Sequence, residues 1–231
     1  MEPTRRTARI AGLLYLVVVL TGPFVLLYVP GKVFVPGDAT ATVNAILAHE
    51  TLFRTSIAAG IVAEVAFVLA VLTLYRLLKG VDAQLAALMV IFILIDVPLA
   101  FLGTANQVAT LTFARGADFL SAFDTPQREA VITLLMNFDR QGVVVSEVFW
   151  GLWLLPLGVL VYRSGFLPRF LGVWLFVNGI AYLVMSATGL FSPGHSEWVR
   201  KVSTPVLFGE VALMLWLLIV GARVKAAAPA R

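Results

Sequence analysis

The 231-residue sequence contains no cysteine, which excludes disulfides, thiolate metal sites and cysteine nucleophiles. It is also poor in charge: only 13% of residues are Asp, Glu, Lys or Arg, about half the usual share in soluble domains. A water-soluble fold of this length would lack the polar surface needed to stay dissolved. Histidine is scarce as well, and the two present, His49 and His195, fall in connections rather than apolar runs. Haem ligation at membrane depth is therefore not expected, and no nitrogen or sulfur cluster suits zinc. Walker-type glycine loops, GxSxG and HExxH are absent, and no apolar run pairs a serine with a histidine. No cofactor or metal is expected.

What is present is hydrophobic length. Hydrophobic residues make up 60% of the chain, and the mean hydropathy is +0.95. A helix rising about 1.5 Å per residue crosses a hydrocarbon core of roughly 30 Å in about 20 residues. Six stretches qualify: about Ile10–Val29, Ile57–Leu78, Leu85–Asn106, Gln141–Tyr162, Phe170–Leu190 and Pro205–Ala222. They are continuous rather than alternating, which argues against a β-barrel. The first is too long for a signal-peptide core and is followed by Val29-Pro30-Gly31-Lys32 instead of a cleavage site, so it reads as a retained span. The expectation is an all-α, six-helix membrane bundle forming one domain over 1–231.

Orientation follows from the basic residues. Arg5, Arg6, Arg9, Arg76, Lys79, Arg163, Arg169, Arg223, Lys225 and Arg231 fall on one side with only Glu2 and Asp82. On the other side the seven basic residues are matched by seven acids. The first side is expected to be cytoplasmic, placing both termini there in an inner (plasma) membrane. The net charge of +4 thus reflects topology and points to no nucleic-acid partner. Two outer connections read as short amphipathic helices lying on the outer membrane surface or over the bundle. Asp38 caps one, and Asp124-Thr125-Pro126 opens the other, which carries Val131, Leu134, Leu135 and Phe138 at helical spacing.

The even spans share a phrase of small residue, glutamate and valine: Ala63-Glu64-Val65, Ser146-Glu147-Val148 and Gly209-Glu210-Val211. The odd spans echo one another more weakly at Thr21-Gly22-Pro23, Asp96-Val97-Pro98 and Asn178-Gly179-Ile180. Three repeated helical hairpins would produce this pattern; so would chance matching in low-entropy apolar sequence.

Glu64, Asp96, Glu147 and Glu210 lie inside spans, where an ionisable group costs about 3 kcal/mol or more. One reading is an outward-facing polar cavity lined by these four acids and Asn178, with Arg54, Arg140 and Arg200 at the outer ends of the even spans as charge partners. Such a cavity would bind or carry a small polar or cationic ligand. The other reading is that the acids bond helices together. An intramembrane enzyme acting on lipid or quinone through a carboxylate, and a non-catalytic component acting with a partner protein, are the alternative functions. Pro23, Pro98 and Pro156 should kink their helices. Trp150, Trp153, Trp174 and Trp216 read as packing residues. Gly158, Gly172, Gly179 and Gly209 read as points of close helix approach. Oligomeric state is left open.

At Tyr162-Arg163-Ser164-Gly165-Phe166-Leu167-Pro168-Arg169-Phe170-Leu171-Gly172-Val173 the sequence resembles a bacterial membrane family, domain of unknown function 4386. Phe149-Trp150-Gly151-Leu152-Trp153-Leu154-Leu155-Pro156-Leu157-Gly158 and Leu74-Tyr75-Arg76-Leu77-Leu78 carry the same resemblance. It covers nearly the whole chain and implies a six-span inner-membrane protein. It brings no activity, cofactor or catalytic residue with it.

Overall fold

In the computed structural model, residues 5–222 are described. Glu2, Arg223, Lys225 and Arg231, used above for orientation, lie outside the described residues. Among those described there is no strand. Seven helices follow in order: α1 Arg5–Val33, α2 Ala39–Ala48, α3 Glu50–Leu78, α4 Ala83–Arg115, α5 Thr125–Arg163, α6 Arg169–Phe191 and α7 Ser196–Ile219. Six carry a stretch long and apolar enough to cross a membrane, and α2 is the short exception.

Local chemistry fixes most of the helix ends. The Asp38 carboxylate accepts the Ala41 amide at 2.8 Å and starts α2, as its position in the sequence suggests. Asp82 accepts the Gln84 and Leu85 amides at 3.1 Å and starts α4. Asp124 and Gln127 bond reciprocally at the start of α5, at 2.8 and 3.0 Å, in a capping-box arrangement. Pro23 is followed by a five-residue π-helical segment, Phe24–Tyr28, the wider turn that a missing backbone donor permits. Pro98 and Pro156 are accommodated inside helices that continue through them.

One expectation is corrected. The amphipathic segment around Val131–Phe138 is no separate surface helix; it is the first part of α5, which runs unbroken for 39 residues. At helical rise that is about 58 Å, well beyond the hydrocarbon thickness. Neither Gln141 nor Gly142 breaks the helix, and the polar residues ahead of them have partners that keep the backbone helical. Asp139 accepts from Gln107 at 3.2 Å, and the Arg140 guanidinium lies 5.2 Å over the Phe34 ring.

The chain divides into two compact units. The first holds Arg5–Val17 of α1, Ala66–Leu78 of α3, Ala83–Asp96 of α4, Val144–Arg163 of α5, and all of α6 and α7. At its centre Tyr15, Phe67 and Trp153 form an aromatic triad, with ring centroids 5.1–6.1 Å apart. Leu154, Leu157, Leu175, Leu213 and Leu217 are fully buried with it. The α5–α6 pair meets backbone to backbone. A Cβ added to Gly158 would lie 2.7 Å from the Gly172 carbonyl oxygen, and one on Gly151 would lie 2.7 Å from that of Gly179. The two glycines on each helix are seven residues apart, so both antiparallel pairs fall on one seam. The connecting turn is short. Gly165 takes the left-handed backbone (φ +71°), and the Ser164 hydroxyl accepts the Leu167 amide at 3.2 Å. Gly12 approaches the Leu218 backbone in the same manner, whereas Gly209 is packed under the Trp174 ring.

The second unit holds Val18–Val33 of α1, all of α2, Glu50–Val65 of α3, Val97–Arg115 of α4 and Thr125–Val143 of α5. Its core is Val29, Val33, Ile46, Phe53, Leu111 and Ile132. A polar layer joins α4 to α5: Asn106 donates to the Leu135 carbonyl at 2.7 Å, and the Asp139 carboxylate sits over Gly103.

Candidate functional site

Four of the five sequence-derived polar residues belong to the first unit: Asp96, Glu147, Asn178 and Glu210. Two are in direct contact. Asn178 Nδ2 is 3.5 Å from Glu210 Oε1 and 3.3 Å from the Leu207 carbonyl. Asn178 is fully buried, held between α5 and α7 faces by Gly179 beside it, which lets α6 close onto α5.

Glu210 is the most heavily bonded of the acids. The Tyr15 hydroxyl donates to its Oε2 in a short hydrogen bond, and the Tyr182 hydroxyl lies near the same carboxyl. Two phenols and one amide thus converge on one carboxyl from α1 and α6. Tyr182 in turn meets the Trp150 ring edge-on at a centroid distance of 5.7 Å.

Trp150 leads to the next acid. Its indole Nε1 donates to Asp96 Oδ2 at 2.8 Å, with Ser146 beside the same carboxyl. One turn before Trp150 on α5, Glu147 is wholly buried and accepts from Arg200 Nη1 at 2.9 Å. The Arg200 side chain is 46% exposed, so it reaches in from the periphery with its stem on apolar surface.

The remaining residues named from sequence lie in the second unit. Glu64 is half-buried on α3. Arg54 pairs with Glu50 at 2.7 Å, and Arg140 engages the Phe34 ring. The partners these two arginines engage, Glu50 and the Phe34 ring, are not among the four span acids.

The first unit's cluster is rich in acceptors and short of donors. Asp96 Oδ1, Glu147 Oε2 and Asn178 Oδ1 are each buried without a hydrogen-bond partner among the described residues. Leaving such an atom unmatched costs about 1–3 kcal/mol, more where the group is charged. A cation, an ammonium group or a proton is the chemical complement of such a set. Among the described residues no group of three or more His, Cys, Asp or Glu has the geometry to hold a metal ion.

Sequence reasoning missed Tyr15 and Tyr182, and it assigned Trp150 to packing alone. Tyr15 lies 195 residues from Glu210, and no local pattern links them. Asp139, one of the seven acids on the outer side, is half-buried against Gln107. The stripe Gly103, Asn106, Gln107 on α4 was its available signal.

The sequence pattern of one family, described as Domain of unknown function (DUF4386), matches residues 10–221. An uncharacterized protein of Archaeoglobus fulgidus is 30% identical over 81 residues, which are 35% of this chain and 47% of the relative. The chain therefore spans about half the length of that relative. No solved structure matches. The family's match takes in all six membrane-length helices, the glycine seam and every acid of the cluster, and the chain belongs to the family described as Domain of unknown function (DUF4386).

Proposed function

We propose that the protein is an inner-membrane binding or transport protein for a small cationic or hydrogen-bond-donating solute. The solute would be taken by Asp96, Glu147, Asn178 and Glu210, with Tyr15 and Tyr182 as hydroxyl partners. The observation that carries this reading is the trio of buried oxygens without donors on Asp96, Glu147 and Asn178. A cluster built only to glue helices would be expected to match its acceptors internally. Here Asp96 and Glu147 each have one well-placed donor and retain a second oxygen for something else. Glu64 is assigned to the same function on its sequence position. The distribution of arginine and lysine supports cytoplasmic termini and a solute arriving from the opposite side.

The test uses the full chain in proteoliposomes on a solid-supported membrane. Sodium, potassium, ammonium and ethanolammonium chlorides and a proton step are applied in turn. At least one is expected to give a saturable current, lost in Glu147→Gln and Glu210→Gln while both variants keep a wild-type circular dichroism spectrum. No saturable response to any of the five would overturn the proposal. So would an undiminished response in both variants. In either case an intramembrane reaction or a purely architectural role becomes the better reading.

A further inference from the structure

We propose that the groove between α3 and α4, at the end where Arg54 and Arg115 lie, is a binding site for an anionic phospholipid. Its phosphate would rest between the two guanidinium groups, and one acyl chain would lie along Ile57 and Val108.

The groove belongs entirely to the second unit and encloses about 470 Å³. That is within the range of sites that hold a small ligand, roughly 300–1,000 Å³. Arg54, Ile57, Val108, Leu111, Thr112 and Arg115 line it. On α4 the lining residues recur three, four and seven apart, so they form one stripe along a single helix face. Chemistry changes along that stripe. Arg115 stands at one end and Val108 about 10 Å further along the helix, where it is half exposed. Arg54 and Ile57 repeat the change on α3, one turn apart. Both arginines stand at helix ends and both aliphatic residues lie toward helix middles. The polarity therefore changes in the sense of a lipid standing in its leaflet, headgroup at the interface and chain inward.

The guanidinium groups are held ready for an anion. Each engages Glu50 through its Nε, Arg54 at 2.7 Å and Arg115 at 3.6 Å. One carboxylate thus fixes two arginines and cancels one of their two charges. The Nη groups of both remain for a ligand, and paired planar donors suit a phosphate. Nearby, the Arg128 guanidinium lies against Gly116, between Arg115 and Ala117 of the lining, and its buried Nε has no acceptor among the described residues. Asp118 is exposed at the following turn, outside the lining of the groove. The lining keeps one net positive charge, which matches a phosphodiester without a compensating ammonium. A phosphatidylglycerol-type lipid fits this balance; a zwitterionic choline lipid does not.

Full-length protein in nanodiscs of mixed phosphatidylglycerol and phosphatidylcholine, released into native mass spectrometry, tests the site. Wild type and the surface control Lys201→Gln are expected to retain one phosphatidylglycerol in preference to phosphatidylcholine. Arg54→Gln and Arg115→Gln should lose retained lipid by about tenfold, the scale of one charge-assisted contact. Val108→Trp keeps both arginines and replaces a lipid-exposed side chain, so it should fold normally and still eject the chain. The proposal is overturned if wild type retains the two lipids equally, or if Val108→Trp retains phosphatidylglycerol as wild type does. Displacement of the lipid by millimolar inorganic phosphate would likewise overturn it in favour of a soluble-anion site.

Discussion

Arg200 Nη1 lies 2.9 Å from Glu147 Oε1, and the two side chains have opposite surroundings: the glutamate is 1% exposed and the arginine 46%. The pair joins α5 to α7 at positions 53 residues apart. Its members are therefore not equivalent. A buried carboxylate that loses its cation has no alternative, whereas a half-exposed guanidinium that loses its carboxylate finds water or headgroups.

Arg200→Gln should accordingly destabilise the protein more than Glu147→Gln does. Removing one partner of a fully buried pair costs about 3–5 kcal/mol, and the exposure of Arg200 reduces this to about 1–2 kcal/mol. Melting temperatures in detergent would show it, and the double variant should recover part of the loss. Equal melting temperatures for wild type and Arg200→Gln would mean the pair contributes nothing.

Tyr15→Phe and Tyr182→Phe each remove one hydroxyl from Glu210 without changing ring packing. Each should cost about 0.5–1.5 kcal/mol, the range for a typical intramolecular hydrogen bond. Combined with Glu210→Gln, either substitution should have less effect than alone, because the three groups act on one carboxyl. Strict additivity in the double variants would show that the phenols do not act through Glu210.

Trp150→Phe keeps an aromatic ring against Tyr182 but deprives Asp96 of its indole donor. The expected cost is about 1–3 kcal/mol, measured by thermal unfolding. Asp96→Leu in the Trp150→Phe background should restore part of it, since both polar groups are then gone. A Trp150→Phe variant as stable as wild type would place the 2.8 Å contact outside the energetics of folding.

Gly158→Val should be the most damaging of the single substitutions. Its side chain would begin 2.7 Å from the Gly172 carbonyl oxygen and 2.9 Å from the Phe176 amide nitrogen, backbone atoms that cannot rotate away. A loss of about 1–3 kcal/mol or more is expected from such overpacking. Gly142→Ala, with nothing within 4 Å of the added carbon, is the control and should be neutral or slightly stabilising. Indistinguishable melting temperatures for the two would remove the seam from the account of stability.

The helices were legible in the sequence because hydrocarbon thickness sets a minimum apolar length, and six runs meet it. Asp38 was legible as a cap because its bond to Ala41 is local. The glycine approaches at Gly158, Gly172 and Gly179 could be named because no other residue type lets backbones touch, though which glycine faces which could not. The continuity of α5 was hidden. Asn137, Asp139 and Arg140 look like a solvated break until Gln107 and Phe34 are seen to receive two of them. The partners of Glu210 were hidden for the same reason. Tyr15 and Tyr182 are ordinary aromatic residues in apolar runs, and only the packing of α1 and α6 onto α7 turns their hydroxyls to one carboxyl.

The most specific stretch of the family resemblance, Tyr162–Val173, contains the Gly165 turn and Gly172 of the glycine seam. Ordinary helix pairs can slip past each other because long side chains change rotamer and let ridges find new grooves. Where carbonyl meets Cα directly there is nothing to re-rotate, so α5 and α6 are latched like two bars riveted at two points. Any opening and closing within the first unit then falls to helix faces that meet through flexible side chains, not to the α5–α6 seam or to the point where Gly12 of α1 meets the Leu218 backbone.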